Sequence, residues 1–352
     1  MNIAILIPTL KQGGAEKQAT LLATILDKHH KVDLFLLYGD CDIAPQNNEL
    51  LERSNVTLHR LQGGIISKFG QLKRVLKACN TDILFNYLTS CDVIGSIAGR
   101  CAGVKRVYGG IRNARLEWHK TIVERFVHNH IATGTIYNCY SGAEYFSSKG
   151  FKKSKNIVIP NGFQDIAEPI IRTDREIKHI VTTGRFVPQK DYKTMLRTIS
   201  KLKDIRQDFV MDIIGYGADE ENIRGWIEEF DISKYINIYI KPDNVQEIVK
   251  DADIYLSTSL FEGTSNSIME ALNWSLPIVT TDVGDNKYLV TDSVNGTLHN
   301  IGDANKMALS IAKLLSSVDL RNKYGNSGHK ILSSKFSMEM FNKNYLQLIN
   351  QK

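Results

Sequence analysis

The sequence predicts two α/β domains in tandem, each built on a parallel sheet covered by helices on both faces. Apolar runs of four to seven residues, rich in β-branched and aromatic side chains, alternate with longer amphipathic runs. Such alternation is typical of parallel sheets whose strands are joined by crossover helices. The rhythm breaks once, in the polar stretch Gln164–Lys178, which reads as a linker. A chain of 352 residues also favours two cores, because single cores stop growing near about 250–300 residues.

The predicted elements fall on either side of this break. Strands in the first half are predicted at Ile3–Ile7, Val32–Tyr38, Ile83–Asn86, Arg106–Tyr108, Ile136–Tyr140 and Asn156–Ile159. Helices between them are predicted at Ala15–Lys28, Lys68–Ala78, Asp92–Ala102 and Ala143–Lys149. Strands in the second half are predicted at His179–Thr183, Phe209–Ile214, Ile236–Ile240, Ile254–Thr258 and Pro277–Thr280. We therefore expect an N-terminal domain over 1–165 and a C-terminal domain over 166–336. A last helix, at about Met338–Asn350 within 337–352, should pack back towards the N-terminal domain.

Composition excludes several classes of protein. The chain is 43% hydrophobic and 23% charged, as in ordinary soluble domains. Its five cysteines are odd in number, without a C-x-x-C pair, which argues against a disulfide framework or a zinc ribbon. We expect no secretory signal, because the apolar run at Met1–Pro8 lacks a basic flank, and no membrane-spanning helix, because no apolar run approaches about 20 residues. We expect a cytoplasmic protein, free or peripheral at the cytoplasmic face of the membrane.

The positive charge is concentrated in the first half of the chain. Residues 1–165 contain 21 Lys and Arg against 13 Asp and Glu, a net charge of +8, whereas the whole chain carries +6. A basic half favours an anionic partner such as a lipid headgroup, a lipid-linked diphosphate or a polyanion. A solubilising surface explains the same charge equally well.

Ligands of parallel sheets bind at the carboxyl ends of strands, and glycine motifs follow several predicted strands. Gly13 and Gly14 open a helix after the first strand, so the backbone there can approach a phosphate or a sugar hydroxyl, although a tight turn would also need them. The loop lacks G-x-G-x-x-G, which counts against a dinucleotide dehydrogenase. Gly215, Tyr216 and Gly217 form a second such turn, which either approaches a nucleotide or only connects strand to helix.

Two cations follow the strand at His179–Thr183. Arg185 offers a planar fork for phosphate oxygens, and Lys190, five residues later, offers a point charge, so together they suit a diphosphate leaving group. The alternative is a solvated basic turn in which Asp191 caps the next helix.

Two acids eight positions apart follow the strand at Ile254–Thr258. Glu262 precedes a run of small polar residues, and Glu270 lies about one turn into a helix that should start near Ser265 or Asn266. The helix N-terminus suits a diphosphate, one carboxylate can reach the sugar, and the other can reach the ribose. Alternatively, Glu262 is a surface acid and Glu270 only complements the helix dipole. The run between the two acids is Gly263, Thr264, Ser265, Asn266 and Ser267.

Together these motifs resemble the retaining glycosyltransferases of the GT-B fold, family 4 in the sequence-based classification. The resemblance extends over nearly the whole chain, through Gly13-Gly14-Ala15-Glu16, Ile159-Pro-Asn-Gly162, Gly184-Arg185…Lys190-Asp191 and Glu262-x7-Glu270. The segment Glu262-Gly-Thr-Ser-Asn is similar to the corresponding segment of bacterial members that assemble O-antigens, capsules and lipid-linked glycans.

The resemblance implies two Rossmann-like domains facing each other across a cleft and a role for each motif. Arg185 and Lys190 would neutralise the donor diphosphate, Glu262 would hold the transferred sugar, and Glu270 would bind the ribose. Contacts to donor or acceptor would come from Gly13, Gly14, Gly215, Tyr216, Gly217, Ile240, Lys241, Gly263, Thr264, Ser265, Asn266 and Ser267. No metal and no cofactor are expected, since the cations act in the metal's place and Asp251-Ala-Asp253 precedes a buried strand.

One position departs from many relatives, which carry a histidine after the strand at Arg106–Tyr108. Here Arg112 and Asn113 follow that strand, with His119 further on. We expect Arg112 to contact donor or acceptor phosphate and Asn113 to belong to the substrate-binding site. Either Arg112 and Asn113 or His119 takes the place of that histidine.

The expected function is transfer of a hexose or N-acetylhexosamine from a nucleotide sugar, with retention of configuration and without a metal. The resemblance implies that the donor is UDP-linked. The expected acceptor is a glycan or a polyprenyl-diphosphate-linked glycan in bacterial surface polysaccharide synthesis. Alternatives are a nucleotide-sugar epimerase of the same fold, a nucleic-acid-binding module using the basic half, and a scaffold that has lost catalysis. The spacing of the two acids argues against the epimerase, and the lack of aromatic–basic interleaving argues against nucleic acid.

Overall fold

The computed structural model describes residues 1–112 and 116–351 and divides the chain into two compact units. One unit contains residues 1–162 and 339–352, and the other contains residues 163–338. Neighbouring strands are parallel in both sheets. The predicted α/β class, with two parallel-sheet halves, is therefore confirmed.

The first unit is built on a seven-stranded sheet. Its strands are β1 (Asn2–Ile7), β2 (Lys31–Leu36), β3 (Thr57–Arg60), β4 (Ile83–Asn86), β5 (Arg106–Ile111), β6 (Gly134–Tyr137) and β7 (Asn156–Val158). Their order is β3-β2-β1-β4-β5-β6-β7, so β1 lies inside the sheet and buries Ile3 to Ile7 completely or almost completely. The helices are α1 (Gly14–Asp27), α2 (Pro45–Glu52), α3 (Ile65–Ala78), α4 (Thr89–Ala102), α5 (Trp118–Phe126) and α6 (Tyr140–Ser148).

The second unit is built on a six-stranded sheet. Its strands are β8 (Lys178–Arg185), β9 (Phe209–Tyr216), β10 (Ile236–Ile240), β11 (Ile254–Ser257), β12 (Ile278–Thr281) and β13 (Gly296–His299), in the order β10-β9-β8-β11-β12-β13. Its helices are α7 (Tyr192–Lys203), α8 (Glu220–Glu229), α9 (Val245–Asp251), α10 (Asn266–Asn273), α11 (Asn286–Leu289), α12 (Ala304–Leu315) and α13 (Val318–Lys335). Because β8 and β11 are neighbours, the loops that follow them lie at the same sheet edge.

The last helix, α14 (Met338–Asn350), has the predicted bounds and packs on the first unit. Tyr345 packs edge-on against Phe85 of β4, with ring centroids 5.5 Å apart. Arg106 of β5 donates from Nη1 to the carbonyl of Ile349 at 2.6 Å. These contacts join α14 to β4 and to β5, the strand that Arg112 follows.

Several predicted boundaries were wrong. Gly184 and Arg185, and likewise Gly215 and Tyr216, are the last residues of β8 and β9 rather than loop residues. Strand β5 continues through Gly109 and Gly110. Gly110 packs so close to the neighbouring strand that a Cβ there would collide with the carbonyl of Asn86, so this glycine serves strand packing rather than a turn. Strands β3 and β13 were not predicted, since both are only partly buried and lack a continuous apolar run.

The polar stretch 164–177 is not a free linker. Arg172 donates to the carbonyls of Ala252, Trp274 and Ser275 at 2.6–2.9 Å. Arg175 pairs with Asp253 at 2.7 Å. Because the guanidinium groups satisfy backbone carbonyls at the ends of α9 and α10, this stretch is fixed to the second unit as an irregular layer.

Candidate active site

The first part of the candidate site is the turn after β8. Pro188–Lys190 forms one turn of 3-10 helix, and Asp191 follows with a φ of 47°. The Asp191 carboxylate accepts from the Thr194 amide at 3.2 Å and so caps α7, as the structural alternative for this motif predicted. The cap fixes the position of Lys190 at the strand end.

The second part is the loop after β11, residues 258–265, which is bound to that turn. The Leu260 amide donates to the Gln189 carbonyl, and the Gln189 side chain donates to the Phe261 carbonyl, both at 2.8 Å. Thr258 Oγ1 donates to the Lys190 carbonyl at 2.9 Å. Because bonds run in both directions, the two loops form one rigid platform at the sheet edge.

Lys190 and Glu262 meet on this platform. Lys190 Nζ lies 2.6 Å from Glu262 Oε1, and the two side chains are only 18% and 10% exposed. Such burial weakens competition from water, so each charge depends on the other for its compensation. Separate sequence motifs had predicted both residues, but their direct contact was not predicted.

Gly284 supports the Glu262 backbone from the loop after β12. Its φ is +54°, and a Cβ there would collide with the Glu262 carbonyl oxygen. Only glycine meets both conditions without strain. Nearby, Thr264 Oγ1 donates to Asp285 at 3.2 Å. Gly284 and Asp285, which sequence reasoning missed, therefore help to fix the loop. Their position just after a strand was the available signal.

Helix α10 begins where the sequence predicted. Ser265 is its N-cap and accepts from the Ile268 amide at 3.4 Å, while Asn266 is exposed in the first turn. Gly263, Thr264 and Ser267 are partly exposed around this N-terminus. The first amides of a helix have no intrahelical acceptor and attract anions, so this end can bind phosphate oxygens.

Glu270 lies in the second turn of α10 and is half-buried. Burial raises the pKa of its carboxyl above the ordinary value, and a hydrogen bond from Gln246 opposes that rise. A desolvated carboxylate is a strong acceptor for hydroxyl groups.

The ends of β8, β9 and β10 form the neighbouring rim. A Cβ at Gly215 would collide with the Gly184 carbonyl, and one at Gly217 with the Phe186 carbonyl, so close backbone packing already requires both glycines. Tyr216 is 49% exposed and Lys241 Nζ lies 4.3 Å from its ring centroid. Ile240, at the end of β10, is 42% exposed. Arg185 is exposed and pairs in register with Tyr216.

In the first unit, Gly13 and Gly14 line a cavity. Its volume is about 760 Å³, and its wall includes Lys11, Lys17 and residues 42–47. Gly13 is the N-cap of α1, where a Cβ would collide with the carboxylate of Glu16. The two lysines, which the motif search did not select, make this cavity suitable for an anion.

Arg112 is turned towards side chains of its own unit. Its guanidinium carbon lies 4.4 Å from the Tyr87 ring centroid, Nη2 donates to Tyr345 Oη at 3.1 Å, and Nη1 donates to Asn161 Oδ1 at 3.4 Å. Nε is buried, and no partner for it lies within residues 1–112 and 116–351. Arg112 therefore links β5 to α14.

Sequence analysis also selected Asn113 and His119 near Arg112. Asn113 lies outside the described residues. His119 is exposed and pairs with Glu117 at 3.3 Å.

A buried pair of acids next to Arg112 escaped sequence reasoning. Asp92 of α4 and Glu124 of α5 are 0% and 2% exposed, and Asp92 Oδ1 accepts from the Gly110 amide at 2.8 Å. Burial raises the pKa of both carboxyls, and the neighbouring Asp92 charge raises that of Glu124 further. Isolated acids carry no periodic signal, so the sequence could not pair them.

No group of three or more His, Cys, Asp or Glu side chains that could hold a metal ion occurs within residues 1–112 and 116–351. In the same residues, helices lack the combined length and apolarity that crossing a membrane would require.

A known protein family matches most of the second unit. Residues 164–331 match the family model described as glycosyl transferases group 1. A lipopolysaccharide core biosynthesis glycosyltransferase, LpsE of Rhizobium meliloti (strain 1021), is 25% identical over 173 residues, which are 49% of this chain and 50% of that protein. The chain therefore spans about half the length of this relative.

Other similar proteins extend over the whole chain. The GalNAc-alpha-(1->4)-GalNAc-alpha-(1->3)-diNAcBac-PP-undecaprenol alpha-1,4-N-acetyl-D-galactosaminyltransferase of Campylobacter jejuni is 22% identical, covering 99% of this chain and 98% of its own. The crystal structure of Anabaena Alr3699/HepE in complex with UDP has a TM-score of 0.82 at 18% identity, covering 99% of both chains.

These matches confirm the α/β fold with two Rossmann-like halves of the GT-B type and support glycosyl transfer as the class of activity. They give no support to the epimerase alternative.

Proposed function

We propose that the chain is a retaining, metal-independent glycosyltransferase that uses a nucleotide sugar, UDP-linked, and acts on a glycan or polyprenyl-diphosphate-linked glycan. Its products would be lipopolysaccharide, capsule or a related bacterial surface polysaccharide, made at the cytoplasmic face of the membrane. The observation that carries the proposal is the Lys190–Glu262 ion pair on the rigid platform beside the N-terminus of α10. It places a cation and an acid beside the first turn of α10 at one sheet edge, where parallel sheets bind ligands.

The donor diphosphate would lie against the N-terminus of α10. Amides of Thr264, Ser265 and Asn266 would donate to its oxygens, and Arg185 and Lys190 would supply two positive charges. Since these cations neutralise charge where a metal otherwise would, no ion is needed for departure of the nucleotide. Such preorganised electrostatic stabilisation is usually the largest contribution to catalysis.

The two acids would hold the two sugars of the donor. Glu270, whose carboxyl is desolvated by burial and accepts a hydrogen bond from Gln246, would also accept from the ribose hydroxyls. Glu262 would hold the transferred sugar and stabilise the positive charge that develops at its anomeric carbon. Tyr216, Ile240 and Lys241 would border the base. On binding, the diphosphate competes with Glu262 for Lys190, which leaves the carboxylate free to face the sugar.

Transfer would proceed with retention. The acceptor hydroxyl oxygen forms the new bond to the anomeric carbon on the face from which the diphosphate departs. The bond between that carbon and the diphosphate oxygen breaks, and a diphosphate oxygen takes the hydroxyl proton. Holding both reactants in register supplies much of the rate, since oriented intramolecular reactions are strongly favoured.

The acceptor would bind the first unit. The cavity beside Gly13 and Gly14 carries Lys11 and Lys17, which can neutralise an acceptor diphosphate. The Campylobacter relative is named for an undecaprenol diphosphate acceptor, and the Anabaena structure contains UDP, which supports this pairing of donor and acceptor. A basic first unit would also favour peripheral contact with an anionic membrane.

A donor screen with purified full-length protein tests the proposal. UDP-sugars are incubated with a short-chain polyprenyl-diphosphate glycan, with and without EDTA, and the acceptor is analysed by mass spectrometry. We expect the acceptor to gain one hexose or N-acetylhexosamine from one UDP-sugar, at a rate that EDTA leaves unchanged. Conversion of the donor to an epimer, or transfer that EDTA abolishes, would contradict the proposal.

A further inference from the structure

Helix α5 carries its apolar side chains on the outside. Trp118 is 76% exposed, Phe126 59%, Ile122 50% and Val123 45%. The buried side chain of this helix is that of Glu124. Helices of soluble units normally bury the apolar side and expose the charged one, so the exposed side of α5 lacks the cover that its composition requires.

The exposed apolar side chains form one stripe. Trp118, Ile122 and Phe126 recur every four residues, and with Val123 they span about 140° of the helix at 3.6 residues per turn. Lys120 and Arg125 lie on the two sides of this arc. An apolar stripe between cations is the pattern of helices that lie in the interface of a membrane, where Trp and Phe enter the headgroup region.

A lysine-rich segment lies beside the stripe. Arg125 Nη1 donates to the Lys149 carbonyl at 3.1 Å. Asn129, three residues after the end of α5, donates to the Gly150 carbonyl and accepts from the Lys152 amide, so residues 149–152 lie beside the end of α5. Lys149, Lys152 and Lys153 are exposed, and residues 149–155 contain no acid. The exposed acid next to the stripe, Glu117, is paired with Lys120 at 2.9 Å. The surroundings of the stripe are therefore strongly basic.

The charge decides between the surfaces that could cover the stripe. A second copy of the chain would bring an equally basic face against it, and residues 1–165 carry a net charge of +8. An anionic bilayer instead attracts each lysine or arginine near its surface while it takes up the apolar side chains.

We propose that the α5 face, formed by Trp118, Ile122, Val123, Phe126, Lys149, Lys152 and Lys153, seats the first unit on an anionic lipid bilayer. Trp118, Ile122 and Phe126 enter the headgroup region, and the lysines pair with lipid phosphates. The inference rests on the proposed lipid-linked acceptor, since it explains how the enzyme would stay where that substrate resides.

Vesicle co-sedimentation of the full-length protein tests the α5 face. Vesicles of phosphatidylcholine with about 30 mol % phosphatidylglycerol are compared with pure phosphatidylcholine. We expect roughly tenfold stronger binding to the anionic vesicles, a blue shift of tryptophan fluorescence on binding, and loss of binding by roughly tenfold or more in the variant Trp118→Ala/Phe126→Ala. Lys149→Glu/Lys153→Glu should weaken binding only to the anionic vesicles.

The matched control is Leu309→Ala on α12, where a leucine is 60% exposed in the second unit. It should bind vesicles as the unaltered chain does. Equal vesicle binding by the chain and the Trp118→Ala/Phe126→Ala variant would overturn the proposal, as would a dimer in light scattering that this variant abolishes. Transfer to a short water-soluble acceptor should persist in all variants, and its absence from the unaltered chain would instead refute the proposed function.

Discussion

Replacing Lys190 by alanine perturbs the candidate site in two separable ways. It removes the cation that would neutralise the departing diphosphate, and it leaves Glu262, only 10% exposed, without its partner at 2.6 Å. The first effect acts on the rate of transfer, and the second acts on the free energy of unfolding. Both can be measured on one purified variant.

The expected magnitudes follow from the burial of the pair. Breaking a fully buried ion pair costs about 3–5 kcal/mol, and the residual exposure of Lys190 lowers the expected loss of stability to about 1–3 kcal/mol. Losing one preorganised charge against the leaving group should cost about 10²–10³ in kcat, or about 2.7–4 kcal/mol. The double variant Lys190→Ala/Glu262→Ala should regain part of the stability but none of the rate, because it removes the unpaired acid without restoring the cation.

Nucleotide release with the preferred donor gives the rate, and urea denaturation gives the stability. Lys193→Ala is the matched control, since Lys193 follows closely on α7 but lies over the Trp226 ring at 5.5 Å. We expect that control to keep kcat within about threefold, as for a surface charge outside the site. Normal turnover of Lys190→Ala, with stability unchanged, would refute the reasoning.

Three further variants test other parts of the account. Glu270→Gln should raise the donor KM by about tenfold or more through loss of a charged acceptor. Because burial raises the pKa of Glu270, the wild-type donor KM should rise on acidification at a higher pH than an ordinary carboxyl would give, and this rise should be absent in the variant. Gly284→Ala should lower the free energy of unfolding, measured by urea titration, by about 2 kcal/mol, because residue 284 has a positive φ and a Cβ there would clash with the Glu262 carbonyl. The matched control is Gly225→Ala, in open space on α8, which should raise the free energy of unfolding by up to about 1 kcal/mol. Glu124→Gln should become more stabilising relative to wild type as pH rises from about 5 to 8, because the raised folded-state pKa keeps Glu124 protonated in the folded chain while the unfolded chain releases that proton, which lowers wild-type stability. A melting-temperature difference that stays constant over this range would contradict this.

The sequence predicted the parts of the fold that follow from local pattern. Strand β4 and helix α14 have the predicted bounds, because one is a buried apolar run and the other has strong helical periodicity. The start of α10 was predicted because Ser265 is a good N-cap, and its side chain does accept from the first turn. Strand β3, with His59 and Arg60 at its end, has no such pattern and was missed.

Contacts between distant segments could not be predicted from the sequence. Gly215 reads as a turn residue, yet a Cβ there would collide with the Gly184 carbonyl on the neighbouring strand, so its need for glycine is a property of the sheet rather than of its own segment. Arg172 looked like a linker charge, because its carbonyl partners lie 78 to 103 residues away. Long-range pairing of this kind depends on topology, which local composition does not contain.

The same limit applies to the candidate site. Lys190 and Glu262 were selected separately, each from its strand-end position, but their bond depends on β8 and β11 being neighbours. Arg112 was selected as a phosphate ligand, and its stacking on Tyr87 and bond to Tyr345 depend on the return of α14 to the first unit. The roles of these residues in donor and acceptor binding remain predictions.

The stereochemistry of the product tests the central claim most directly. The proposed platform leaves the diphosphate on the face that the acceptor hydroxyl attacks, so an α-linked UDP-sugar should give an α-linked product. Proton NMR of the purified glycan, through the coupling constant of the new anomeric proton, distinguishes the two linkages. An α linkage agrees with the account, and a β linkage would contradict it.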